Sequence, residues 1–211
     1  MTKRIRKPIT LNIIYKDIKQ MKKLLQLLVI LSFIISCQNK SQEQSDLKEL
    51  QKQAQEFRKK QIDFFINATP KYFSAKTLDG KLFNSKNYKG KNLLVFIYDK
   101  SYLKKSETYD MAKELNEIYS SHKDKVQFIG IIEGYVENEN ELKKYLNTSK
   151  IVFEQIDNTK SQNKPEILNY NMFCSPSKIL INRKGKVIYS SCGGGDSDKL
   201  TQKLDSIKNN G

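Results

Sequence analysis

Long apolar runs alternate with amphipathic stretches along the second part of the chain. Asn92 to Tyr98 and Val126 to Glu133 are almost unbroken apolar runs, as expected for strands buried on both faces. Between them, apolar residues recurring on one face predict a helix over about Ser106 to His122. Further elements are predicted in chain order: a helix at Glu139–Leu146, a strand at Ile151–Ile156, a helical turn at Pro165–Tyr170 and a final amphipathic helix at Asp196–Lys208.

A β-hairpin is predicted shortly before the last helix. Ile179 to Ile181 and Val187 to Tyr189 are its two strands, and Gly185 suits the left-handed position of the turn between them. Pro176 stands at the first residue of the first strand, where it removes no central ladder hydrogen bond. Strands that alternate with helices and end in a hairpin predict an α/β sandwich.

The N-terminal residues predict an export signal. Leu24 to Ile35 is an apolar run of about twelve residues behind Lys22 and Lys23, too short for a mature membrane span but typical of a signal-peptide core. The sequence Ile-Ile-Ser-Cys that ends at Cys37 resembles a lipobox, which predicts lipidation of Cys37. The alternative is an uncleaved signal anchor with an incidental cysteine. We expect residues 1–20 to result from a start codon assigned too far upstream, with Met21 the true start. The alternative is that they form a long basic leader of the signal peptide.

A tether and a helix are predicted between the signal and the domain. Residues 38–46 are polar and predict a flexible tether. Leu47, Leu50, Ala54 and Phe57 lie on one helical face, which predicts an amphipathic helix to about Phe65 that packs on the domain or holds it off the membrane. A short coiled coil is the alternative. The predicted division is 1–36 signal peptide, 37–65 tether and helix, and 66–211 domain.

The basic net charge does not indicate nucleic-acid binding. Residues 1–36 hold eight of the 38 Lys and Arg residues and one of the 23 acids, so the remaining net charge is +8 instead of +15. These charges are spread along the chain, without the basic stripe and interleaved aromatics that a nucleic-acid surface needs. With no metal-ligand spacing either, the sequence predicts no nucleic-acid partner, no metal and no cofactor.

Motifs along the domain resemble those of a known family. They are Ala68-Thr69-Pro70 followed by Phe73, Gly90-Lys91 before the first long strand, and Ser175-Pro176 before a strand that ends in Asn-X-X-Gly-Lys. They resemble the thioredoxin-like superfamily, most closely the TlpA/ResA-type membrane-anchored thiol-disulfide oxidoreductases. The resemblance implies a thioredoxin-like fold over about 66–209, with a central mixed β-sheet flanked by helices. It also implies that Pro176 is cis and faces the redox site.

The dithiol of that family is missing from its expected place. The resemblance puts Trp-Cys-X-X-Cys between the central strand and the next helix, whose N-terminus lowers the pKa of the first thiol. Here the segment from Tyr98 to Tyr109 contains no Cys, so it has no thiolate for exchange. The degenerate loop comprises Tyr98, Asp99, Lys100, Ser101, Tyr102, Lys104, Lys105 and Ser106.

Other chemistry in this loop is disfavoured by the sequence. A nucleophilic Ser101 or Ser106 needs a neighbouring base, and His122 is predicted to be an exposed residue at the far end of the helix. The loop lysines lie beside a helix N-terminus and are a candidate anion site, although solvated lysines are the simpler interpretation. Gly193 to Gly195 lacks the Lys-Ser/Thr end of a phosphate loop and is interpreted as a connection into the last helix.

Cys174 and Cys192 are the remaining cysteines of the domain. If Asn182 pairs near Lys186, the two thiols lie almost opposite each other in the hairpin, at about disulfide distance. An exported protein reaches compartments that permit disulfides, so a structural disulfide is the preferred interpretation. Two free thiols, or a redox pair on the Pro176 side, are the alternatives.

The sequence therefore predicts an exported, lipid-anchored protein of the bacterial cell envelope, with its domain in the periplasm and its lipid in the inner or outer membrane. Because the usual dithiol is missing, the first hypothesis is a non-catalytic module that binds a peptide or protein beside Pro176 and the loop 99–106. The alternative is a thiol-disulfide oxidoreductase acting through Cys174 and Cys192. An enzyme that binds an anionic ligand at the basic loop is a third.

Overall fold

The computed structural model describes residue 44 and residues 46–162, 164–195 and 197–207, in two units that divide after Lys59. The predicted signal and Cys37 lie outside the described residues. Residues 46–60 form helix α1, which is exposed along the first unit and ends five residues before the predicted Phe65. Within the described residues, no helix has both the length and the apolar character needed to cross a bilayer.

The second unit is built on a five-stranded mixed sheet. Its central strands β3 and β4 are parallel and apolar throughout, so both faces of the sheet are buried. The strands are β1 (Ser74–Lys76), β2 (Leu82–Asn84), β3 (Leu93–Asp99), β4 (Gln127–Glu133), β5 (Gln155–Asp157), β6 (Ser177–Ile181) and β7 (Val187–Cys192). The sheet order is β5-β4-β3-β6-β7, with β6 antiparallel to both neighbours, and β1 pairs with β2 separately.

Three helices pack on one face of this sheet: α2 (Met111–His122), α3 (Glu139–Thr148) and α4 (Asp198–Asp205). Their apolar residues join the alternate side chains of β3, such as Leu94 and Phe96, in one core cluster. The opposite alternate set, such as Val95 and Ile97, faces a second cluster covered by β1, β2 and irregular segments. This arrangement confirms the predicted α/β fold with a central mixed sheet and flanking helices.

Helix α2 begins five residues later than the sequence predicted. Ser106 is held in a turn, because its Oγ accepts from the backbone N–H of Tyr109 at 3.0 Å and its own N–H donates to the Tyr109 carbonyl at 3.0 Å. Asp110 then caps the helix by accepting from the N–H of Lys113 at 3.0 Å. The predicted strand Ile151–Ile156 is likewise displaced, to Gln155–Asp157.

The helical turn predicted at Pro165–Tyr170 is wrong. Asn158 is fully buried, and its Oδ1 accepts from the N–H groups of Ile167 at 2.9 Å and Leu168 at 2.7 Å. Its Nδ2 donates to the Leu168 carbonyl at 3.0 Å. This one side chain supplies the hydrogen bonds that a helical turn would otherwise make, so the segment stays irregular.

The prediction for His122 is also wrong. Its side chain is only 3% exposed, and Nε2 lies 3.0 Å from Asp205 Oδ1 while Nδ1 lies 3.0 Å from the Ile118 carbonyl. His122 therefore joins the end of α2 to the end of α4.

The second unit begins before the predicted residue 66. Ile62 and Phe64 are buried in the core, and Ile62 forms a parallel bridge with Tyr170. The N–H of Phe64 donates to Asn171 Oδ1 at 2.8 Å. The residues entering the domain are thus bound to the segment that leads to Cys174.

Candidate functional site

A disulfide joins Cys174 and Cys192 at one end of the sheet, with their Cα atoms 5.8 Å apart. The predicted disulfide is confirmed, and so is the predicted pairing at the turn, where the N–H of Asn182 donates to the Lys186 carbonyl at 2.8 Å. A bulge between Leu180 and Ile181 shifts the rest of the ladder by one residue. Cys192, the last residue of β7, pairs with Ser177 in the ladder, and Cys174 lies just before β6. The chain turns back there, since the Ser177 hydroxyl donates to the Cys174 carbonyl and the N–H of Gly193 donates to Pro176 O at 2.8 Å.

The segment between Cys174 and β6 is docked on the end of the central strand. The Ser175–Pro176 peptide bond is cis, as the family resemblance implied. Ser175 Oγ accepts from the N–H of Asp99, the last residue of β3, at 2.6 Å. Pro176 is buried, Cys174 is half-buried and Cys192 is exposed, so the disulfide lies at the surface above a fixed support.

A polar cluster lies at the adjoining end of β4. Glu133 accepts from the Tyr170 hydroxyl at 2.7 Å, and Asp99 lies against Gly134, where an added Cβ would come within about 2.2 Å of the carboxylate. Burial raises the pKa of Glu133; the nearby charge of Asp99 adds to the rise, and the hydrogen bonds of Tyr170 and Ser175 oppose it. Glu133 therefore holds a proton more readily than an exposed glutamate.

Glu133→Gln is expected to change the pH dependence of stability. A raised folded-state pKa means that ionisation destabilises the fold as pH rises from the ordinary carboxyl range through the raised value. The glutamine cannot ionise, so the unfolding free energy of the variant should rise relative to that of wild type as the pH increases above the ordinary carboxyl range. Urea unfolding at increasing pH measures the difference. A constant difference, equal to that of the exposed control Glu107→Gln, would contradict the expectation.

The degenerate loop is a structured surface segment in which most charges are already compensated. Lys100 pairs with Glu141 and lies over the ring of Tyr145, and Lys105 lies 3.6 Å from Asp110. Of the three lysines, only Lys104 forms no ion pair within the described part of the chain, which weakens the candidate anion site.

The other loop residues serve the fold. Tyr98 is fully buried and its hydroxyl donates to Gln155 at 2.8 Å. The N–H of Ser101 donates to Asp99 Oδ1 at 2.8 Å, and the rings of Tyr102 and Tyr109 pack edge to face at 6.0 Å. These contacts are made by the segment in which the family resemblance would place a dithiol.

A buried ion pair that the sequence analysis missed supports the far side of the site. Lys178 of β6 is 1% exposed, and its Nζ lies 2.6 Å from Glu114 Oε1 of α2 and 3.1 Å from Ser197 Oγ. Glu114 also accepts from the Tyr109 hydroxyl, and Gly194 packs on the Tyr109 ring. Burial raises the pKa of Glu114, but the hydrogen bonds from Lys178, Ser197 and Tyr109 outweigh it and leave the pKa below its ordinary value.

One signal in the sequence could have revealed this pair. Lys178 directly precedes the apolar run Ile179–Ile181 in the same strand, and a charged residue at a core position needs a buried partner. Among the described residues, no group of three or more His, Cys, Asp and Glu is arranged to hold a metal ion.

Comparison with solved structures shows a thioredoxin-like fold. The chain is similar to a thiol-disulfide oxidoreductase from Bacteroides fragilis, at 16% identity over 67% of this chain and 100% of that one, with a TM-score of 0.52. A C-terminal domain described as thiol-disulfide oxidoreductase from Bacteroides thetaiotaomicron matches at 21% identity over 68% and 96%, with a TM-score of 0.52. A protein described as thiol:disulfide interchange protein DsbE from Chlorobium tepidum matches at 14% identity over 68% and 98%, with a TM-score of 0.53. No protein-family model and no curated protein matches the chain.

Proposed function

We propose that this chain is a cell-envelope protein that exchanges disulfides with thiol-bearing proteins through Cys174 and Cys192. The observation that carries the proposal is the surface disulfide beside Pro176, in which Cys192 is exposed. Exposed disulfides are the labile ones, because an incoming thiolate can reach a sulfur atom. The solved structures of similar fold are described as thiol-disulfide oxidoreductases, which supports the same chemistry at a different position.

In the proposed exchange, the client thiolate attacks the sulfur of Cys192. A client thiolate forms a bond to Cys192 Sγ, the bond to Cys174 Sγ breaks, and its electron pair leaves Cys174 as a thiolate. Ser177 Oγ lies 3.3 Å from Cys174 Sγ, so its hydroxyl, which donates to the Cys174 carbonyl in the disulfide form, can stabilise the thiolate by turning its proton towards the sulfur. A second client thiolate then attacks the mixed disulfide and releases Cys192. The client is oxidised to a disulfide, and this protein is reduced to the dithiol.

The surface next to the disulfide is suited to holding a client. Phe173 directly precedes Cys174, and its side chain is 85% exposed. An exposed aromatic ring offers contact area at low entropic cost, and such residues are enriched at protein interfaces. We therefore assign Phe173 to client contact.

The proposed location rests on the N-terminal sequence. The apolar run Leu24–Ile35 and Cys37 support export and lipid anchoring, and a stable disulfide requires an oxidising compartment. The membrane is thus a partner through the lipid, and the domain would lie in the periplasm.

The proposal is tested with the purified full-length chain and a peptide that contains two cysteines. We expect the peptide to be oxidised in step with the appearance of free thiols at Cys174 and Cys192, both followed by alkylation and mass spectrometry. The double variant Cys174→Ser/Cys192→Ser should oxidise none. Oxidation no faster than by an equal concentration of glutathione disulfide would refute the proposal.

A non-catalytic binding module is the second candidate. It is favoured by the β6–β7 ladder, which already joins the two strands on which the cysteines lie, so the disulfide can be a structural addition. A disulfide that closes a loop of this size stabilises a protein by about 3 kcal/mol. Under this candidate the double cysteine variant would lose stability and keep its affinity for a client, whereas the oxidoreductase would lose exchange.

A further inference from the structure

A cleft opens at the end of the sheet opposite the disulfide. It lies where β3 begins and β6 ends, at the paired residues Leu93 and Ile181. The disulfide adjoins the other end of β6, about 13 Å away along the strand. The cleft has a volume of about 360 Å³, within the range of about 300–1,000 Å³ typical of small-molecule sites.

The floor and walls of the cleft are apolar and aromatic. Phe73, Leu93 and Ile181 are buried core residues that end at its floor, and the half-buried ring of Tyr88 stacks on Phe83 beside them. Tyr72, 57% exposed, forms part of the wall. An apolar body inserted here would be removed from water at about 25 cal/mol per Å² of buried surface.

The mouth of the cleft is strongly cationic. Its lining holds Lys71, Lys89, Lys91, Arg183 and Lys184, and none of the described residues that line it is Asp or Glu. The lysine ion pairs formed by the described residues involve other positions, namely Lys81, Lys100, Lys105, Lys113, Lys160, Lys164 and Lys178.

Two carboxylates lie near this region without lining the cleft. Burial raises the pKa of Tyr88, and the charge of Glu154 adds to the rise. Asp124 shares a neighbouring depression with Lys91 and Arg183. The four lysines of the mouth, Lys71, Lys89, Lys91 and Lys184, outnumber these two acids, and a focused positive potential favours an anion.

We propose that this cleft binds an amphiphilic anion, a molecule with an apolar body and a single carboxylate or phosphate group. The apolar body fills the floor between Phe73 and Ile181, and the anionic group lies at the mouth among the lysines. A purely polar anion would leave the exposed wall at Tyr72 in water, and a neutral apolar molecule would gain nothing from the positive potential of the four lysines. The site is separate from the disulfide and does not rest on the proposed exchange activity.

The test uses the full-length chain and a fatty acid that carries a photoreactive diazirine, with the methyl ester of the same probe as the neutral control. Cross-linked peptides are identified by mass spectrometry, because the apolar run at Leu24–Ile35 also attracts acyl chains. We expect saturable cross-links within 69–93 and 179–187, at least about tenfold stronger for the acid than for the ester.

A matched pair of variants isolates the charge. Lys89→Gln/Lys91→Gln should weaken these cross-links by at least about fivefold, whereas Lys199→Gln/Lys203→Gln, on exposed lysines of α4, should leave them unchanged. Competition by dodecanoate and by dodecyl phosphate tells a carboxylate from a phosphate ligand. Equal labelling by acid and ester, labelling confined to 24–35, or labelling only when phosphatidylglycerol vesicles are present would overturn the proposal.

Discussion

Lys178→Met is expected to lower the free energy of unfolding by about 3–5 kcal/mol at neutral pH. The methionine fills the space of the lysine stem, but it leaves Glu114 half-buried and ionised opposite an apolar side chain. Ser197 and Tyr109 still donate hydrogen bonds to the carboxylate, yet they carry no compensating charge. Breaking a buried ion pair on one side is destabilising for this reason. Urea unfolding of both proteins measures the loss.

Two further variants separate the ion pair from the packing. Lys178→Met/Glu114→Gln removes both charges and should recover most of the loss, a coupling that a double-mutant cycle quantifies. Lys113→Met, which removes an exposed pair with Glu117, should change stability by less than about 0.5 kcal/mol. A loss below about 1 kcal/mol for Lys178→Met would mean that the pair contributes no more than a surface contact.

The same variant predicts a pH dependence with a definite sign. In wild type the pKa of Glu114 is lowered, so its contribution to stability is present above the ordinary carboxyl range and is lost as pH falls through the lowered value. Without Lys178 the carboxylate takes up a proton more readily. The difference between variant and wild type should therefore shrink as the pH falls.

Cys174→Ser is expected to abolish turnover and to trap clients as mixed disulfides on Cys192. When the client is offered in its disulfide form, the thiolate of the exposed Cys192 attacks it and one client sulfur leaves as a thiolate. The mixed disulfide persists because no second thiol is present to release the client. In Cys192→Ser the remaining thiol, Cys174, is half-buried, so we expect at least about tenfold less trapped client. Non-reducing electrophoresis followed by mass spectrometry counts the trapped species.

The third cysteine supplies the control for trapping. Cys37→Ser leaves both domain cysteines in place, so its turnover should equal that of wild type once the protein is solubilised in detergent. Equal trapping by Cys174→Ser and Cys192→Ser would contradict the assignment of Cys192 as the attacked sulfur, while leaving exchange itself intact.

The apolar runs predicted the central sheet because they were long and unambiguous. Strands β3 and β4 are buried on both faces, so their sequences carry the signal without any knowledge of partners. The hairpin followed from a turn glycine between two apolar segments, and the cis bond before Pro176 was implied by the family resemblance. The disulfide was predicted from the same hairpin, whose pairing at the turn the structure confirms, with a bulge that the sequence did not predict.

The errors came from polar side chains whose partners are distant in sequence. Asn158 pairs with backbone groups of 167–168, and His122 meets Asp205, which lies 83 residues away. Hydrophobic periodicity contains no information about such contacts, and it treated His122 as exposed. The burial of Lys178 was not predicted, although the sequence alone shows a lysine directly before the apolar run Ile179–Ile181.

The way in which the chain enters the domain has a consequence for proteolysis. Ile62 and Phe64 are core residues, and the backbone of Ile62 exchanges hydrogen bonds with Asn169 and Asn171. A protease that releases the domain from the proposed lipid anchor must therefore cut ahead of Gln61 to leave it intact. Cleavage after Phe65 would remove two core side chains and weaken the contacts that support Cys174. Release at that bond would therefore also abolish the proposed disulfide exchange.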